Sequence, residues 1–407
     1  MDVHARNLST TAAVVGAGAA GLAAARTLTQ LGVDVLVLEA RDRIGGRAYT
    51  RRTPDGDFPV ELGPEFVHGN APAMTSLLRE CGAETLDTGG SYEIWEATER
   101  VLDSVDFNAA DVSVDEFLKS ASARGNDVAM ARMLIEGFDA AITADASVQA
   151  IAREWRSEAN NSTSRLANGY DQLMRYLAAR VGEDLMLDTR VERIDWSNQR
   201  VALHASRYGE PLEIHSRAAI ITLPIGVLHE RAYFLPELPQ THQRALRSIA
   251  SGPVVKVALE FRSVFWDEGF LRTPECAFQT IWSRIPQRAP VLMAWAGGDA
   301  VARLREKSPD PIAAALDACE AAFPRVDVRS ELRVAHLHDW QIDPYARGAY
   351  SYLRVGGQGA REALARPVER TLFFAGEACS AGYAGTVSGA LETGERAALD
   401  AAQAIGL

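Results

Sequence analysis

The chain has 407 residues, 47% of them hydrophobic and 24% charged, with a formal net charge of −12. That length accommodates two domains with separate cores, and the acidic balance argues against nucleic acid or an anionic membrane as a partner. Cys81, Cys276, Cys319 and Cys379 are scattered and form no CxxC pair, so neither a zinc knuckle nor a disulfide framework is expected and a reducing cytoplasm is the natural setting. No apolar run reaches the ~18 residues that a membrane span needs, and the ending just after a last helix is expected to leave no membrane tail. In that setting the overlapping sequons at Asn160 and Asn161 carry no meaning.

Residues Met1 to Thr10 read as a loose leader. Ala12 to Arg47, AAVVGAGAAGLAAARTLTQLGVDVLVLEARDRIGGR, then reads as strand, glycine turn, helix, strand and a second glycine turn. Gly16, Gly18 and Gly21 have the GxGxxG spacing: the first permits the tight turn, the second close approach of backbone to a pyrophosphate, the third close packing of helix on strand. The helix start offers its amides to the phosphates. Glu39, closing the second strand, is placed to accept hydrogen bonds from an adenosine ribose. The apolar run Ala12 to Ala25 is therefore a nucleotide-binding strand and helix, with no strongly basic region before it to suggest a signal peptide. The sequel Arg41 to Arg47 resembles the two-dinucleotide-binding-domain flavoproteins, in which the arginine of GGR neutralises the FAD pyrophosphate. The resemblance implies FAD rather than NAD, gives Arg47 that role, and places Arg41 and Gly46 among the cofactor contacts.

Further along, Tyr49 to Gly69 reads as irregular. Ala71 to about Arg156 is mostly helical in pattern, with i, i+3, i+4 spacing at Met74, Leu77 and Leu78 and at Met130, Met133 and Leu134, and a helix over Val114 to Ala121. These methionines read as core filler. A helix is expected over Gly169 to Arg180, and strands over Leu185–Leu187, Val191–Trp196, Val201–Ala205 and Ala218–Leu223. Two long strands, Val254–Phe261 and Val291–Ala296, precede a helix over Pro311 to Ala322 and a strand over Leu332–Leu337. A buried strand, Leu372–Ala375, leads into a C-terminal helix. The fold class is α/β: a Rossmann-like FAD-binding domain assembled from residues 1–70, 165–245 and 341–407, with an inserted α+β substrate domain from 71–164 and 246–340.

The segment LFFAGEACSAGYAGTVSGALETGERAA carries a strand into Gly376–Glu377, then a glycine-broken loop, then a helix starting near Thr386. Small residues at Gly385, Ser388, Gly389 and Ala390 allow close backbone approach, and the helix start can stabilise negative charge on a reduced flavin. This segment resembles the flavin-dependent amine oxidases: monoamine oxidases, polyamine oxidases and lysine-specific histone demethylases. Four more segments match in family order: ELGPEFVHG (61–69), AAIITLPIGVL (218–228), GPVVKVALEFRSVFW (252–266) and WQIDPYARGAYSY (340–352). The match covers the chain except its helical region, 71–160.

The resemblance implies a set of roles. Lys256 is the lysine that hydrogen-bonds a water bridging to flavin N5. Tyr350 and Thr386 occupy the two substrate-cage positions, both of which are tyrosine in monoamine oxidases, so the cage is open on the threonine side. His68 is a candidate to bond a substrate nitrogen, and a neutral imidazole suits that. Glu65 either attracts a cationic tail or faces solvent. Gly63, Pro64, Val191, Trp340, Gly376, Glu377, Thr386 and Val387 are implied cofactor contacts. Ala349 stands where monoamine oxidases have the cysteine bonded to flavin, so FAD is expected to be non-covalent. Phe66 stands where amino-acid oxidases have a carboxylate-binding arginine. His336 and His338 share a strand face without an evident third ligand, so no metal is expected. The expected reaction is hydride transfer from an amine to flavin N5, giving an imine, an aldehyde or ketone after hydrolysis, and hydrogen peroxide from molecular oxygen. An L-amino-acid oxidase or flavin desaturase, or a flavin-bound scaffold or sensor without turnover, are the alternatives.

Overall fold

The computed structural model describes residues 6–88, 93–121, 125–157, 162–230, 233–267 and 269–407. Residues 1–5 of the expected leader, parts of the expected helical region, and the sequons at Asn160 and Asn161 lie outside the described residues.

A five-stranded parallel sheet forms in the order Leu372–Phe374, Ala218–Ile221, Ala12–Val15, Val35–Leu38, Leu185–Met186. Its strands are apolar throughout because both faces are covered. Alternate residues serve opposite faces: Ala12 and Val14 pack with the helices Ala19–Gln30 and Val387–Ile405, while Ala13 and Val15 pack with a layer of antiparallel strands. The two helices approach closely at Gly394, where an added Cβ would lie 2.2 Å from the Ala20 carbonyl oxygen.

That layer runs Arg6–Ser9, Glu210–Ser216, Arg200–Arg207, Thr189–Ser197, Phe234–Leu235, its three long strands antiparallel and its two short edge strands joined in parallel. Its first strand corrects the reading of a loose leader, since Arg6–Ser9 pairs in parallel with Leu212 to His215. With Leu8 as its one packing residue, it is too short to show a period. The segment 49–69 is likewise not irregular: Thr50–Arg52 pairs with Pro59–Glu61, and Phe66–His68 pairs with Thr163–Leu166, about a hundred residues away in sequence and invisible to local patterning.

A third five-stranded sheet has the order Phe270–Arg272, Thr280–Ser283, Val291–Gly297, Val254–Phe261, Leu332–Asp339. Val255, Val257, Leu259 and Phe261 face a core that includes the helix Pro311–Ala322. The opposite face, with Val254 and Ala258, is covered by Val60, Leu62 and Trp340. Lys256 belongs to that covered face, which is why a lysine in an alternating strand is 1% exposed. The helices Glu93–Leu102, Val114–Ser120, Gly125–Phe138 and Val148–Trp155 form a further apolar cluster. The segment 340–352, which carries the cage tyrosine, is mostly a turn: Asp343 accepts from the Tyr345 amide at 2.9 Å, Arg347 and Gly348 have φ of +55° and +134°, and only Ser351–Leu353 is extended.

Candidate active site

A cavity of about 820 Å³ runs from the end of the parallel sheet to the sheet that carries Lys256 and to the helical cluster. All the residues singled out from the sequence as site residues line it except Gly21, which acts from behind.

At its first end the wall is backbone. Gly16 has φ +109°, and a Cβ there would lie 2.5 Å from Thr222 Oγ1; a Cβ on Gly21 would lie 1.8 Å from the Gly16 carbonyl oxygen. Gly18 is different: the nearest protein atom to an added Cβ is the Gly45 oxygen at 3.9 Å. The first and third glycines thus serve the fold, and the second leaves room for a ligand. The turn at Gly45 and Gly46 (φ +94° and +56°) docks on the first turn through the Gly45 amide, which donates to Ala17 at 2.8 Å. Glu39 accepts from the Ala17 amide at 2.8 Å and the Arg41 amide at 2.9 Å. Burial pushes its carboxyl up, against those bonds. Each carboxylate oxygen keeps a lone pair for a ribose hydroxyl.

Two arginines expected at the cofactor also tie distant segments together. Arg41 pairs with Asp343 at 2.7 Å, and His338 meets the same carboxylate at 3.0 Å. Burial pushes the Asp343 carboxyl up, but these bonds outweigh it and hold the acid well below its usual range. Arg47 donates to the Ala349 carbonyl at 2.6 Å and to Glu377 at 2.8 Å. Glu377 also accepts from the Ser351 hydroxyl and the Gly385 amide, at 2.7 and 3.1 Å. Its burial is more than offset by Arg47 and Arg361, so its carboxyl is held low. Gly63 permits this junction, since a Cβ there would lie 1.9 Å from the Arg47 carbonyl oxygen.

In the middle, Lys256 Nζ donates to the Gly63 carbonyl and to Glu65 Oε2, both at 3.1 Å. Glu65 does not face solvent. It is 5% exposed, accepts from Trp282 Nε1 at 2.9 Å, and pairs with Arg165 at 3.4 Å. Burial raises its carboxyl, and the charges of Lys256 and Arg165 overcome that and keep it ionised. Burial in turn lowers the Lys256 ammonium, with Glu65 opposing. Trp340 donates from Nε1 to the Leu62 carbonyl at 2.9 Å, fixing the strand Pro59–Glu61 and the loop after it against the lysine.

Tyr350 lies against Gly385, whose added Cβ would be 3.5 Å from the ring, and its hydroxyl donates to the Phe138 carbonyl at 2.5 Å. Thr386 reaches the cavity as the N-cap of the 19-residue C-terminal helix: its hydroxyl accepts from Gly389 at 3.0 Å and donates to Tyr383 at 2.8 Å. Its polar atom is therefore engaged by the helix start. His68 sits edge-on to Phe138 with ring centroids 5.5 Å apart, and burial pushes its imidazole down to about 4, leaving it neutral.

Pattern reading missed the far wall. Trp95, Phe138 and Trp155 form an aromatic cluster, and Asp139 Oδ2 accepts from Trp155 Nε1 at 3.0 Å. Only the lone tryptophans in an otherwise plain helical region hint at it in the sequence. His336 and His338 point to separate carboxylates, Glu260 at 2.6 Å and Asp343 at 3.0 Å. Among the described residues no three His, Cys, Asp or Glu gather as a metal site, and no helix is long and apolar enough to cross a membrane.

The donor set suits a flavin dinucleotide: an open glycine at the first turn, a buried acid beside it, and two helix starts, at Ala19 and Val387, opening on one cavity. The fold and site thus define a flavin-type dinucleotide-binding protein. Residues 19–119 and 103–402 match the flavin containing amine oxidoreductases, and the chain belongs to that family of flavoprotein oxidoreductases. It is 28% identical to Lysine-specific histone demethylase 2 of Homo sapiens over 441 residues, covering 95% of this chain and 52% of that protein. It is also 28% identical to Polyamine oxidase 4 of Oryza sativa subsp. japonica over 439 residues, covering 95% and 87%. The chain spans about half the length of the human demethylase. Among solved structures, putrescine oxidase bound to putrescine superposes with a TM-score of 0.81 at 22% identity, covering 97% of this chain and 99% of the other. Cyclohexylamine oxidase from Brevibacterium oxydans gives 0.80 at 21%, with the same coverage.

Proposed function

We propose that the chain is an FAD-dependent oxidase of amines that lack an α-carboxylate, with an extended or secondary amine favoured over a compact one. The observation that carries this reading is the single cavity joining the glycine cradle to Lys256, Tyr350 and His68. Bound FAD would supply the hydride acceptor, with oxygen the final electron acceptor and hydrogen peroxide the product. Gly16, Gly18, Glu39, Arg41, Gly46 and Arg47 would hold its dinucleotide end, with Gly63, Pro64, Val191, Trp340, Gly376, Glu377 and Val387 around the rest.

The chain's own residues would do the following. Tyr350 presents a π-face to the amine, and the apolar surroundings favour the deprotonated amine that oxidation requires. His68, neutral, accepts from an amine N–H. Lys256 keeps positive charge near the site of oxygen reduction, held there by Glu65. Thr386 leaves one side of the cage open. The FAD would be non-covalent: Ala349 has no sulfur, and Cys379 is buried in the core behind the sheet with its thiol pushed up to about 12. Acid precipitation should therefore leave the yellow colour in the supernatant, and a coloured pellet would contradict this. Four free cysteines fit a cytoplasmic setting.

One observation favours the runner-up, an amino-acid oxidase: Arg272 lines the same cavity. Phe66, at the position an amino-acid oxidase gives to arginine, favours the amine reading. Peroxide release across a panel of amines and L-amino acids tests both. Turnover of amines is the expected result; turnover of amino acids alone would overturn the proposal.

A further inference from the structure

Arg361 is a buried cation that the chemistry above does not employ. It stands in the short helix Ala360–Ala365 and is 2% exposed. One of its terminal nitrogens donates to the Ser351 hydroxyl at 2.6 Å; the other donates to the Ser351 carbonyl at 3.2 Å and to Glu154 at 3.0 Å. The Ser351 hydroxyl has a single proton, which it gives to Glu377 at 2.7 Å. It therefore accepts from Arg361 and donates to Glu377, so each bond orients the other. Glu377 in turn accepts from Arg47 at 2.8 Å and from the Gly385 amide at 3.1 Å. A continuous polar chain thus leads from Glu154 through Arg361, Ser351 and Glu377 to Arg47. It begins on the helix Val148–Trp155, which carries Trp155 of the aromatic wall, and ends at the arginine expected at the cofactor's pyrophosphate.

Charge alternates along this chain. Glu377 is buried, and Arg47 and Arg361 share the work of keeping it ionised. A carboxylate satisfied from behind draws less on Arg47, whose other guanidinium donors remain for phosphate oxygens. A second buried cation behind the first also strengthens the field that an arriving anion meets. We propose that Arg361 is a positioning residue for the dinucleotide: it fixes Glu377 through Ser351, and Glu377 fixes Arg47. Glu154 anchors Arg361, so the grip on the cofactor depends on a helix of the substrate wall. This inference rests on FAD as the cofactor and adds residues that do not themselves touch it.

The test strips the chain of flavin and titrates it with FAD, reading the quenching of flavin fluorescence. The urea midpoint of the flavin-free chain is measured in parallel. Arg361→Met should weaken FAD binding about 10- to 100-fold, as expected for loss of a charged hydrogen bond, and Arg361→Lys, which restores the charge, should recover most of that loss. Two milder variants serve where Arg361→Met does not fold. Ser351→Ala cuts the chain in the middle and should weaken FAD about tenfold with the urea midpoint unchanged. Glu154→Gln should weaken FAD about threefold on its own and have no further effect in the Ser351→Ala background, because a chain already cut transmits nothing. Wild-type FAD affinity in either mild variant, losses that multiply in the double variant, or losses that appear only with a lowered urea midpoint would overturn the assignment while leaving FAD as the cofactor. A wild-type chain that binds no FAD would overturn both.

Discussion

At the Gly18 end of the cavity the wall is main chain. Two glycine turns dock on each other, a third glycine admits the helix, and Glu39 is clamped by amides. At the Trp95 end the wall is side chain, a cluster of rings around one carboxyl held by one indole. Backbone cradles depend on residue types that cannot be exchanged, so they recur as spacing. A ring cluster fills space in many equivalent ways and depends on packing between distant helices. Between the two lies a third kind of construction, the buried cations and acids around Lys256, where charge balance sets the tolerances.

The comparison can be broken first at that middle region. Glu65→Gln leaves Lys256 and Arg165 buried without their carboxylate, and loss of one partner of a buried pair costs about 3–5 kcal/mol. The midpoint of chemical denaturation should fall accordingly; an unchanged midpoint would mean the network contributes nothing net. Next, Gly21→Ala should cost about 3 kcal/mol or more, because its Cβ would lie 1.8 Å from a backbone oxygen. Gly18→Ala should leave the apoprotein's melting temperature unchanged and weaken FAD retention about tenfold, as expected for loss of a close polar contact. If both variants melt alike, the division of labour among these glycines is wrong.

A smaller effect concerns acid. Burial lowers the His68 imidazole from 6.5 to about 4, so between those values the unfolded chain binds the proton and the folded one does not. Stability contributed by this site is therefore complete above pH 6.5 and falls as the pH drops towards 4, by at most about 2 kcal/mol given that the ring borders the cavity. His68→Gln should flatten that part of the stability profile, and an unaltered profile would place the acid sensitivity elsewhere. Smallest at the chemical step, Lys256→Met, which leaves Glu65 its partners Arg165 and Trp282, should retain FAD and slow reoxidation by oxygen about tenfold, as for loss of one preorganised charge. Wild-type reoxidation in stopped flow would reduce Lys256 to a structural residue.

How much of this was legible in the sequence follows the same division. The glycine spacing, the acid at Glu39, the long strands read at 254–261 and 291–296 and the helix read as starting near Thr386 all carry local signals, and the structure has these elements to within a residue. Lys256 alternates with Val255 and Val257, so pattern alone would turn it to solvent, and the cover over that face explains its burial. The pairing of Phe66–His68 with Thr163–Leu166 and the Arg6–Ser9 strand were not legible, since both depend on partners far along the chain. Glu65 was ambiguous because its cations, Lys256 and Arg165, come from two other segments. Asp139 was silent because a single aspartate after a helix has no pattern of its own.

The central claim is that this cavity oxidises amines without an α-carboxylate. Anaerobic stopped-flow mixing of the FAD-loaded protein with a simple amine and, separately, with L-amino acids tests it most directly, because bleaching of the flavin absorbance reports the chemical step before oxygen enters. The account predicts rapid bleaching by the amine and slow or absent bleaching by every amino acid. Rapid bleaching by an L-amino acid, with none by amines, would contradict it.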